Sequence, residues 1–483
     1  MAVNATPGFD LIPSAERVTL QTNYITNFDF LNQYLPDTYE KEFERYGNRS
    51  ISSFLRMVGA EMPTNSDMIK WAEQGRLHIK YTNVNADGNP ADNQATFTVN
   101  DVLNPTIPGG TTTAGNGGIA IRVGQTVMIS DNTAGSNLSN KAVVTNVNYT
   151  TGVVTCDFYE AAGQAMANNA TVTMWIYGSE FKKGTEGMTE SLESDDFIFD
   201  NKPIIIKDKY AVSGSDMAQI GWIEITSEDG ANGYLWYLKS EHDTRLRFED
   251  YMETALVEAV PAESGSGAAI HFGNAAGTDG QGGSEGVFHV VGQRGNVYGG
   301  GNPTTLADFD SIIQRLDKQG AIEENVIFMN RQFTFDMDDM LAAQNSYGAG
   351  GTSYGLFDND EEMALNLGFT GFRRGYDFYK SDWKYLNDPT MRGGLVGGGI
   401  NGLLVPAGST TVYDQILGKN AKRPFLHVRY RASETEDRRY KTWMTGSGGG
   451  ARTSSLDAME VHFLTERTVC TLGANNFFLF QNA

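Results

Sequence analysis

The pattern of apolar and polar positions is most regular near the middle of the chain. No Gly or Pro occurs between Tyr234 and Val260, and most residues in this interval favour the helix. The apolar side chains follow helical spacing only loosely and form one stripe, while charged side chains cover the remaining surface. Pro261 then ends the run. The pattern predicts one helix over 233–260, roughly 40 Å long, that lies on another element along a single face.

Residues 82–177 show a different pattern, in which apolar and polar positions alternate. Runs such as KAVVTNVNYTTGVVTCDF are typical of half-buried strands and are separated by turn-forming clusters. This segment contains only two basic residues, Arg122 and Lys141. The flanking stretches LHIKYTNV and GSEFKKGTEGM resemble two sides of one parent segment. We therefore predict a small β-barrel or β-sandwich inserted into a loop of the main body.

The stretch before this module is harder to interpret. Residues 1 to about 50 carry many aromatic side chains without a clean period. Such a segment has no core of its own, so we expect it to bury its aromatic side chains on another body, for example a second copy of the chain. The sequence NRSISSFLRMVGAEMPTNSDMIKWAEQGRL then predicts a short helix, a break at Pro63 and a second helix capped by Asn65 or Ser66.

The chain after the module mixes strands and helices. DDFIFDNKPIIIKDKYAVSGSDMAQIG is rich in predicted strand and leads into the long helix, and GVFHVVG predicts a further strand. A helix over 306–319, a strand over 325–329 and a helix over 332–343 follow, and 369–483 is mostly strand and loop. The sequence therefore predicts an α+β fold with segregated pieces.

Composition and charge narrow the class of protein. The chain has 483 residues, which suggests two to four domains, and its 40% apolar content excludes disorder as the main state. A net charge of −22 argues against nucleic-acid binding through the bulk surface. The two cysteines, Cys156 and Cys470, are predicted to be ordinary buried thiols. We expect no signal peptide and no membrane contact, and a protein that is made in a cytoplasm and stays there or is released by lysis.

Three short motifs match catalytic or metal-binding patterns, but their contexts differ. GTSYG, with Ser353 at its centre, lacks the strand and helix that a nucleophile elbow requires. GGGING at 397–402 is followed by a strand-like segment where a dinucleotide site needs a helix. DNDEE at 358–362 has Met363 where a calcium loop needs Gly. We therefore predict no catalytic residue, no metal site and no cofactor.

One basic cluster contrasts with the acidic background. The stretch GFRRGYDFYKSDWKYL, at 371–386, interleaves basic residues with aromatic ones. Such a pattern can bind nucleic acid, and it can equally anchor a protein interface. Because the whole chain is acidic, we favour the interface.

The order of these parts resembles the major capsid proteins of tailed bacteriophages, which share the Hong Kong 97-like fold. FDNKPIIIKDKYAVSGSDMAQIG looks like the end of that family's extended loop, and TLADFDSIIQRLDKQGAIEENVIFMNRQFTFDMDDML is similar to its helix, strand, helix unit. VHFLTERTVCTLGANNFFLF looks like its terminal strand pair. The arm and the inserted module are similar to those of crAss-like and related short-tailed phages.

The resemblance implies a domain plan for the chain. Residues 1–81 form the N-terminal arm and first helices, 82–177 the inserted β domain, and 178–232 the extended loop and following strands. Residues 233–305 form the peripheral domain with the spine helix 233–260, and 306–430 form the axial α/β domain. Residues 431–483 are the C-terminal strands that complete the peripheral domain.

The resemblance also implies a function. It is that of a shell subunit that forms hexamers and pentamers around double-stranded DNA, without sequence-specific binding, in the virion capsid. Portal and minor or decoration capsid proteins are the implied further partners. The candidate interface residues are Phe28, Phe30, Tyr34, Lys182, Lys183, Arg245, Arg247, Arg373, Arg374 and Trp383.

Two further expectations stay open from the sequence. Members of the type family cross-link a Lys to an Asn, and Lys182 or Lys183 with Asn475 or Asn476 would be the pair here, although most relatives make no such bond. The alternative function is a β-rich carbohydrate-active or esterase-type hydrolase with Ser353 as nucleophile and residues 82–177 as a binding module.

Overall fold

The structure is a computed structural model. It describes residues 61–75, 78, 80–87, 93–100, 119–132, 138–161, 170–189, 196–218, 225–226, 232–233, 236–272, 282–320, 322–345, 371–395, 399–407, 409–414, 419–448 and 452–482. These residues form a mixed α+β fold in which strands dominate.

The strands lie along most of the described chain. The first nine are β1 (Glu61–Thr64), β2 (Ile69–Gln74), β3 (Lys80–Asp87), β4 (Gln94–Val99), β5 (Gln125–Asp131), β6 (Ser139–Asn148), β7 (Val153–Phe158), β8 (Thr171–Ser179) and β9 (Asp196–Asn201). The next eight are β10 (Ile204–Ser213), β11 (Ile225–Thr226), β12 (Asn232–Gly233), β13 (Asn296–Tyr298), β14 (Glu324–Met329), β15 (Gly371–Arg374), β16 (Tyr376–Asp382) and β17 (Ile400–Pro406). The last six are β18 (Ser409–Asp414), β19 (Lys419–Pro424), β20 (Leu426–Arg431), β21 (Lys441–Gly446), β22 (Ala458–Thr471) and β23 (Phe478–Gln481).

The described helices range from a single turn to six turns. They are α1 (Gly214–Met217), α2 (Trp236–Glu258), α3 (Gly267–His271), α4 (Val287–Arg294), α5 (Leu306–Gln319), α6 (Arg331–Asn345) and α7 (Lys384–Asn387). Two short 3₁₀ turns occupy Arg392–Gly394 and Ala474–Asn476.

The described residues form two compact units. One unit falls within Met1–Lys70 and Asp200–Ala483, and the other falls within Trp71–Phe199. The second unit therefore lies, in sequence, between the two parts of the first.

The second unit contains a closed barrel of six strands in the order β3-β4-β7-β6-β5-β8. Every pairing in the barrel is antiparallel, and closure leaves no exposed sheet edge. Alternate residues of each strand point inward, as Val127 and Ile129 of β5 do, and form one apolar core. The turn from β6 to β7 is held by Asn148, whose side-chain Oδ1 accepts the N–H groups of Thr150 and Thr151.

The first unit contains a five-stranded sheet built around β22. Its order is β1-β20-β22-β10, and β21 also pairs with β22. Helix α2 packs on this sheet through Phe248 and Met252, which lie four residues apart and contact a cluster that includes Tyr210, Val461 and Phe463. Phe248, Met252 and Leu256 of the predicted apolar stripe are buried, whereas Leu246 of the same stripe is exposed.

A six-stranded sheet in the same unit has the order β13-β23-β17-β14-β16-β15. Its central strands β14, β17 and β23 are apolar at successive positions, as expected for strands that are covered on both faces. On one face, Ile327 and Met329 of β14 pack against residues of α5 and α6, such as Phe309. On the other face, Phe328 joins a cluster that includes residues of α2, α4 and α7.

Several sequence predictions for the main body are confirmed. Helix α5 has the predicted bounds, strand β14 begins one residue early, and α6 extends one or two residues beyond the prediction at each end. The long helix lies inside the predicted interval, at Trp236–Glu258.

The two C-terminal strands, β22 and β23, do not pair with each other, because β22 lies in the five-stranded sheet and β23 in the six-stranded one.

Two secondary-structure predictions are wrong. GVFHVVG forms helix α4, in which Val287, Val290 and Val291 are buried at helical spacing. A short apolar run fits a strand and a buried helix equally well, so its period did not decide the question.

The helix predicted after Pro63 is also wrong. Pro63 lies in β1, at the edge of the five-stranded sheet, where a residue without an N–H is tolerated. Residues 69–74 form β2, which pairs with β9 in a two-stranded ribbon. The ribbon thus takes one strand from each side of the barrel in sequence.

Helix α5 offers a test of local stabilisation. Thr305 Oγ1 accepts the N–H of Asp308, and the Asp308 carboxylate accepts the N–H and the hydroxyl of Thr305. Replacing Thr305 with Ala should lower the free energy of unfolding by about 1 kcal/mol, measured by chemical denaturation of the unassembled chain. Thr305→Ser keeps the hydroxyl and serves as control, and an equal loss in the Ser variant would contradict the capping explanation.

Candidate assembly surfaces

The basic aromatic stretch at 371–386 lies partly in the core and partly at the surface. Phe378 of β16 is buried against Phe309 of α5, and Trp383 packs against Phe288 and Phe328. The structure therefore places Trp383 in the core, not on a surface that a partner could reach. Basic and aromatic residues occur together both at the edge of a hydrophobic core and in protein interfaces. Composition alone therefore did not show which of the two this stretch forms.

The two arginines of that stretch lie at the surface, on β15. Arg374 makes two hydrogen bonds to the Asp310 carboxylate, at 2.5 and 2.8 Å. The hydrogen bond from Arg374 lowers the pKa of Asp310. Arg373 is exposed and lies 3.2 Å from Asp377. Both guanidinium groups face solvent in part, so both remain candidate contacts between subunits.

Arg245 and Arg247 lie on the exposed side of α2. Arg245 is 3.7 Å from Glu249, one helical turn later. Arg247 donates from Nε and Nη2 to Asp208 of β10, at 3.3 Å each. The Arg247–Asp208 pair connects the helix to β10, and both arginines remain accessible, although exposed pairs of this kind stabilise a fold only weakly.

Lys182 and Lys183 follow the last barrel strand. Both are exposed. The backbone carbonyl of Lys182 accepts hydrogen bonds from the N–H and hydroxyl of Thr185, which fixes a turn at this point. Their amino groups are candidate contacts, and no geometry toward Asn475 or Asn476 follows, because those residues belong to the other unit.

Some sequence candidates fall outside the described residues. They are Phe28, Phe30 and Tyr34 of the N-terminal segment, Ser353 of the GTSYG motif and the acidic run 358–362. The GGGING motif is described only from residue 399, where it enters β17.

A buried polar junction lies between β9 and β10, and no pattern in the sequence predicted it. Asn201 Nδ2 donates to the carbonyls of Glu285 and Val469, at 2.9 and 2.7 Å. Its Oδ1 accepts from the N–H groups of Lys202 and Glu285 and from the hydroxyl of Ser284. This one side chain joins the end of the ribbon to the five-stranded sheet and to the segment before α4.

A second joint connects the end of α2 to the loop after α7. Arg392 Nη1 donates to both oxygens of Glu258, at 2.6 and 2.5 Å, and the Tyr385 hydroxyl donates to the same carboxylate at 2.6 Å. Burial and the Glu258 carboxylate raise the pKa of Tyr385. The Arg392 guanidinium also lies 5.0 Å from the ring centroid of Phe288. These contacts hold the C-terminal end of α2 against α7 and the 3₁₀ turn that follows it.

Within the described part of the chain, no group of three or more His, Cys, Asp or Glu side chains is arranged to hold a metal ion. None of the helices described above is long and apolar enough to cross a membrane. Cys156 and Cys470 are both buried, and burial raises the pKa of the Cys156 thiol.

Comparison with known proteins gives similarity at the level of solved structures. No protein-family model and no curated protein sequence matches the chain. A chain from Microbacterium phage Oxtober96 is similar at 11% identity, with 94% of this chain and 98% of that chain covered and a TM-score of 0.38.

Two further structures are described by the particles they come from. A chain from the capsid of a native GTA particle has 10% identity over 93% of this chain and 96% of that chain, with a TM-score of 0.39. A chain from the mature capsid of bacteriophage PhiM1 has 9% identity over 63% of this chain and 78% of that chain, with a TM-score of 0.32.

Proposed function

We propose that the protein is a major capsid protein of a tailed bacteriophage with a Hong Kong 97-like fold. Its copies assemble into hexamers and pentamers that form an icosahedral head around double-stranded DNA in the virion. Portal and minor or decoration capsid proteins are its further partners. The negative surface limits adhesion of the shell to the packaged DNA, because like charges repel.

The observation that carries this proposal is the two-stranded ribbon of β2 and β9. Phe197 and Ile198 point from its two faces and are 49% and 70% exposed. A two-stranded ribbon is at best marginally stable in water on its own. Apolar side chains on such an arm are stabilised when a neighbouring subunit covers them, as repeated contacts in a closed shell require.

Other elements have natural roles in a shell. Helix α2, roughly 34 Å long, packs along a sheet and stiffens a thin subunit across its width as the spine of the peripheral domain. The six-stranded sheet with α5 and α6 forms the axial domain near the symmetry axes. The barrel is an inserted domain that decorates the shell or bridges neighbours. Lys182, Lys183, Arg245, Arg247, Arg373 and Arg374 are candidate intersubunit contacts.

Negative-stain electron microscopy with light scattering on the expressed full chain tests the proposal. We expect shells, or rings of five and six subunits, for the wild type. Ile198→Ser should reduce assembly at least tenfold while circular dichroism stays unchanged. Val123→Ser removes an exposed apolar side chain from the barrel and is the matched control.

The same experiment separates the hydrolase alternative. A monomer or dimer at every concentration, together with ester hydrolysis that disappears in Ser353→Ala, would overturn the capsid proposal. A shell protein should assemble equally well with Ser353→Ala. Deletion of residues 1–50 should abolish assembly, because this segment is the proposed arm.

A further inference from the structure

The surface of the barrel carries a pocket that the capsid function does not use. It is a shallow, open depression with a volume of about 570 Å³. Its lining residues are Thr126, Lys141, Tyr159, Glu160, Tyr177, Gly178, Ser179 and Glu180. All belong to the second unit, so the pocket is complete within the barrel.

The strand register explains how the pocket forms. Lys141 of β6 lies opposite Met128 of β5, and Met128 lies opposite Trp175 of β8. These three residues form one outward-facing row. Tyr177 follows Trp175 on the same face, two residues later, and Tyr159 lies beside Lys141, to whose carbonyl its N–H donates at 3.2 Å. Outward positions of a barrel in water are usually polar, but three of these are aromatic.

The aromatic side chains form an open platform. Tyr159, Trp175 and Tyr177 are each between 39% and 50% exposed. The rings of Trp175 and Tyr177 lie 6.0 Å apart, edge to face. The ammonium group of Lys141 lies 6.0 Å from the Tyr177 ring centroid, so it already occupies one side of this platform.

Polar groups surround the platform. The Tyr159 hydroxyl donates to Glu180 Oε2 at 2.5 Å. Partial burial and this hydrogen bond raise the pKa of Tyr159 to about 12. Glu160 and the hydroxyls of Thr126 and Ser179 complete a set of acceptors and donors around the aromatic rings.

The charges decide which ligand chemistry fits. Two carboxylates, Glu160 and Glu180, disfavour a phosphate or another anion. Lys141 stands over Tyr177 and disfavours a cation at the same face. An apolar ligand would bury the three charged groups without replacing their hydration. A neutral ligand with several hydroxyls, and with C–H groups that stack on aromatic rings, satisfies every group.

We propose that this pocket binds a neutral saccharide, one or two sugar units of a longer glycan chain. The C–H faces of the sugar stack on Tyr159 and Tyr177, beside Trp175, and its hydroxyls bond to Lys141 and Glu160. Closed and partly closed barrels of other folds bind oligosaccharides on one face in a comparable way. The proposal concerns the barrel surface and holds whether or not the chain assembles into a shell.

Calorimetric titration of the full chain tests the proposal. The probes are soluble neutral oligomers of glucose, mannose, galactose and N-acetylglucosamine, with inorganic phosphate and spermidine as anionic and cationic comparisons. We expect at least one neutral oligomer to bind with a dissociation constant at or below the millimolar range. Its affinity should change less than twofold between 50 and 500 mM NaCl, because no net charge is paired.

Variants locate the site. Tyr177→Ala should weaken binding at least tenfold, and Lys141→Met should weaken it several-fold. Tyr149→Ala is the matched control, because Tyr149 is a similarly exposed barrel tyrosine that packs under Arg122 outside the pocket. Binding should also change the tryptophan fluorescence, and that signal should disappear in Trp175→Phe while binding persists.

Three results would overturn the proposal. One is the absence of binding by every neutral oligomer. Another is binding that Tyr177→Ala and Tyr149→Ala weaken equally, which places the sugar elsewhere. The third is tighter binding of phosphate or spermidine than of any sugar, since this would mean that the pocket recognises charge.

Discussion

Replacing Asn201 with Ala should lower the free energy of unfolding of the main body by about 3 kcal/mol. The side chain is 4% exposed and makes hydrogen bonds to two carbonyls, two N–H groups and one hydroxyl. Alanine leaves these buried groups without that partner, and each unsatisfied group carries a desolvation cost.

Differential scanning calorimetry of the unassembled chain measures this effect. The two compact units should melt separately, so the barrel transition is an internal standard that Asn201→Ala leaves unchanged. Asn146→Ala removes an exposed asparagine from the barrel and should change stability by no more than about 0.5 kcal/mol. A main-body transition that is the same in Asn201→Ala and the wild type would contradict the assigned role of this junction.

Asn201→Asp adds a pH dependence with a definite sign. The aspartate keeps the shape but cannot donate to both carbonyls, and burial raises its folded-state pKa above the unfolded value of about 3.9. The folded state of this variant therefore binds more protons than the unfolded state, and its stability falls as pH rises from 4 to 7. Asn201→Ala should lack this dependence, so comparing the two separates the charge from the lost hydrogen bonds.

The elements that the sequence predicts well are those whose signals are local. Helix α5 begins at a capping box formed by Thr305 and Asp308 and ends at Gly320, which has a positive φ of 79°. All of this information lies within sixteen residues of the chain. The alternation that predicts the barrel strands is likewise visible in each segment taken alone.

The errors arise where distant residues decide the structure. Pro63 is in a strand because it pairs with Tyr430, far along the chain. The GVFHVVG segment is a helix because its apolar face packs into a core shared with α2, α7 and β22. A local pattern that fits two structures is resolved by such contacts, which no window of sequence contains.

For the candidate surfaces too, local features could be predicted from the sequence and contacts between distant residues could not. Arg373 and Arg374 could be expected at the surface from charge alone, but the burial of Trp383 depends on Phe288 of α4. Asn201 resembles any turn asparagine in sequence, since its partners lie at least 83 residues away apart from Lys202. Lys141 could have indicated the pocket from the sequence, because it is one of only two basic residues in 82–177.

Replacing Lys380 with Met should have the largest single effect on stability, a loss of about 3–5 kcal/mol. Lys380 of β16 forms an ion pair with Asp338 of α6, and their side chains are 6% and 12% exposed. The pair joins α6 to the six-stranded sheet, next to a cluster that contains Phe333 and Met337. Methionine fills the same volume but leaves the Asp338 carboxylate buried without its cation. The main-body transition in calorimetry measures the loss.

A double-mutant cycle distinguishes a lost partner from lost packing. Lys380→Met with Asp338→Leu replaces both charges with apolar groups, and we expect it to recover to within about 1 kcal/mol of the wild type. If the double variant is as unstable as the sum of the two single variants, the charges do not interact and the cost of Lys380→Met comes from packing. Recovery would mean instead that the pair contributes little net stability and that its value lies in fixing the register of α6 on the sheet. In a shell this register would matter for assembly, so the double variant should fold normally and still form fewer or less regular particles than the wild type.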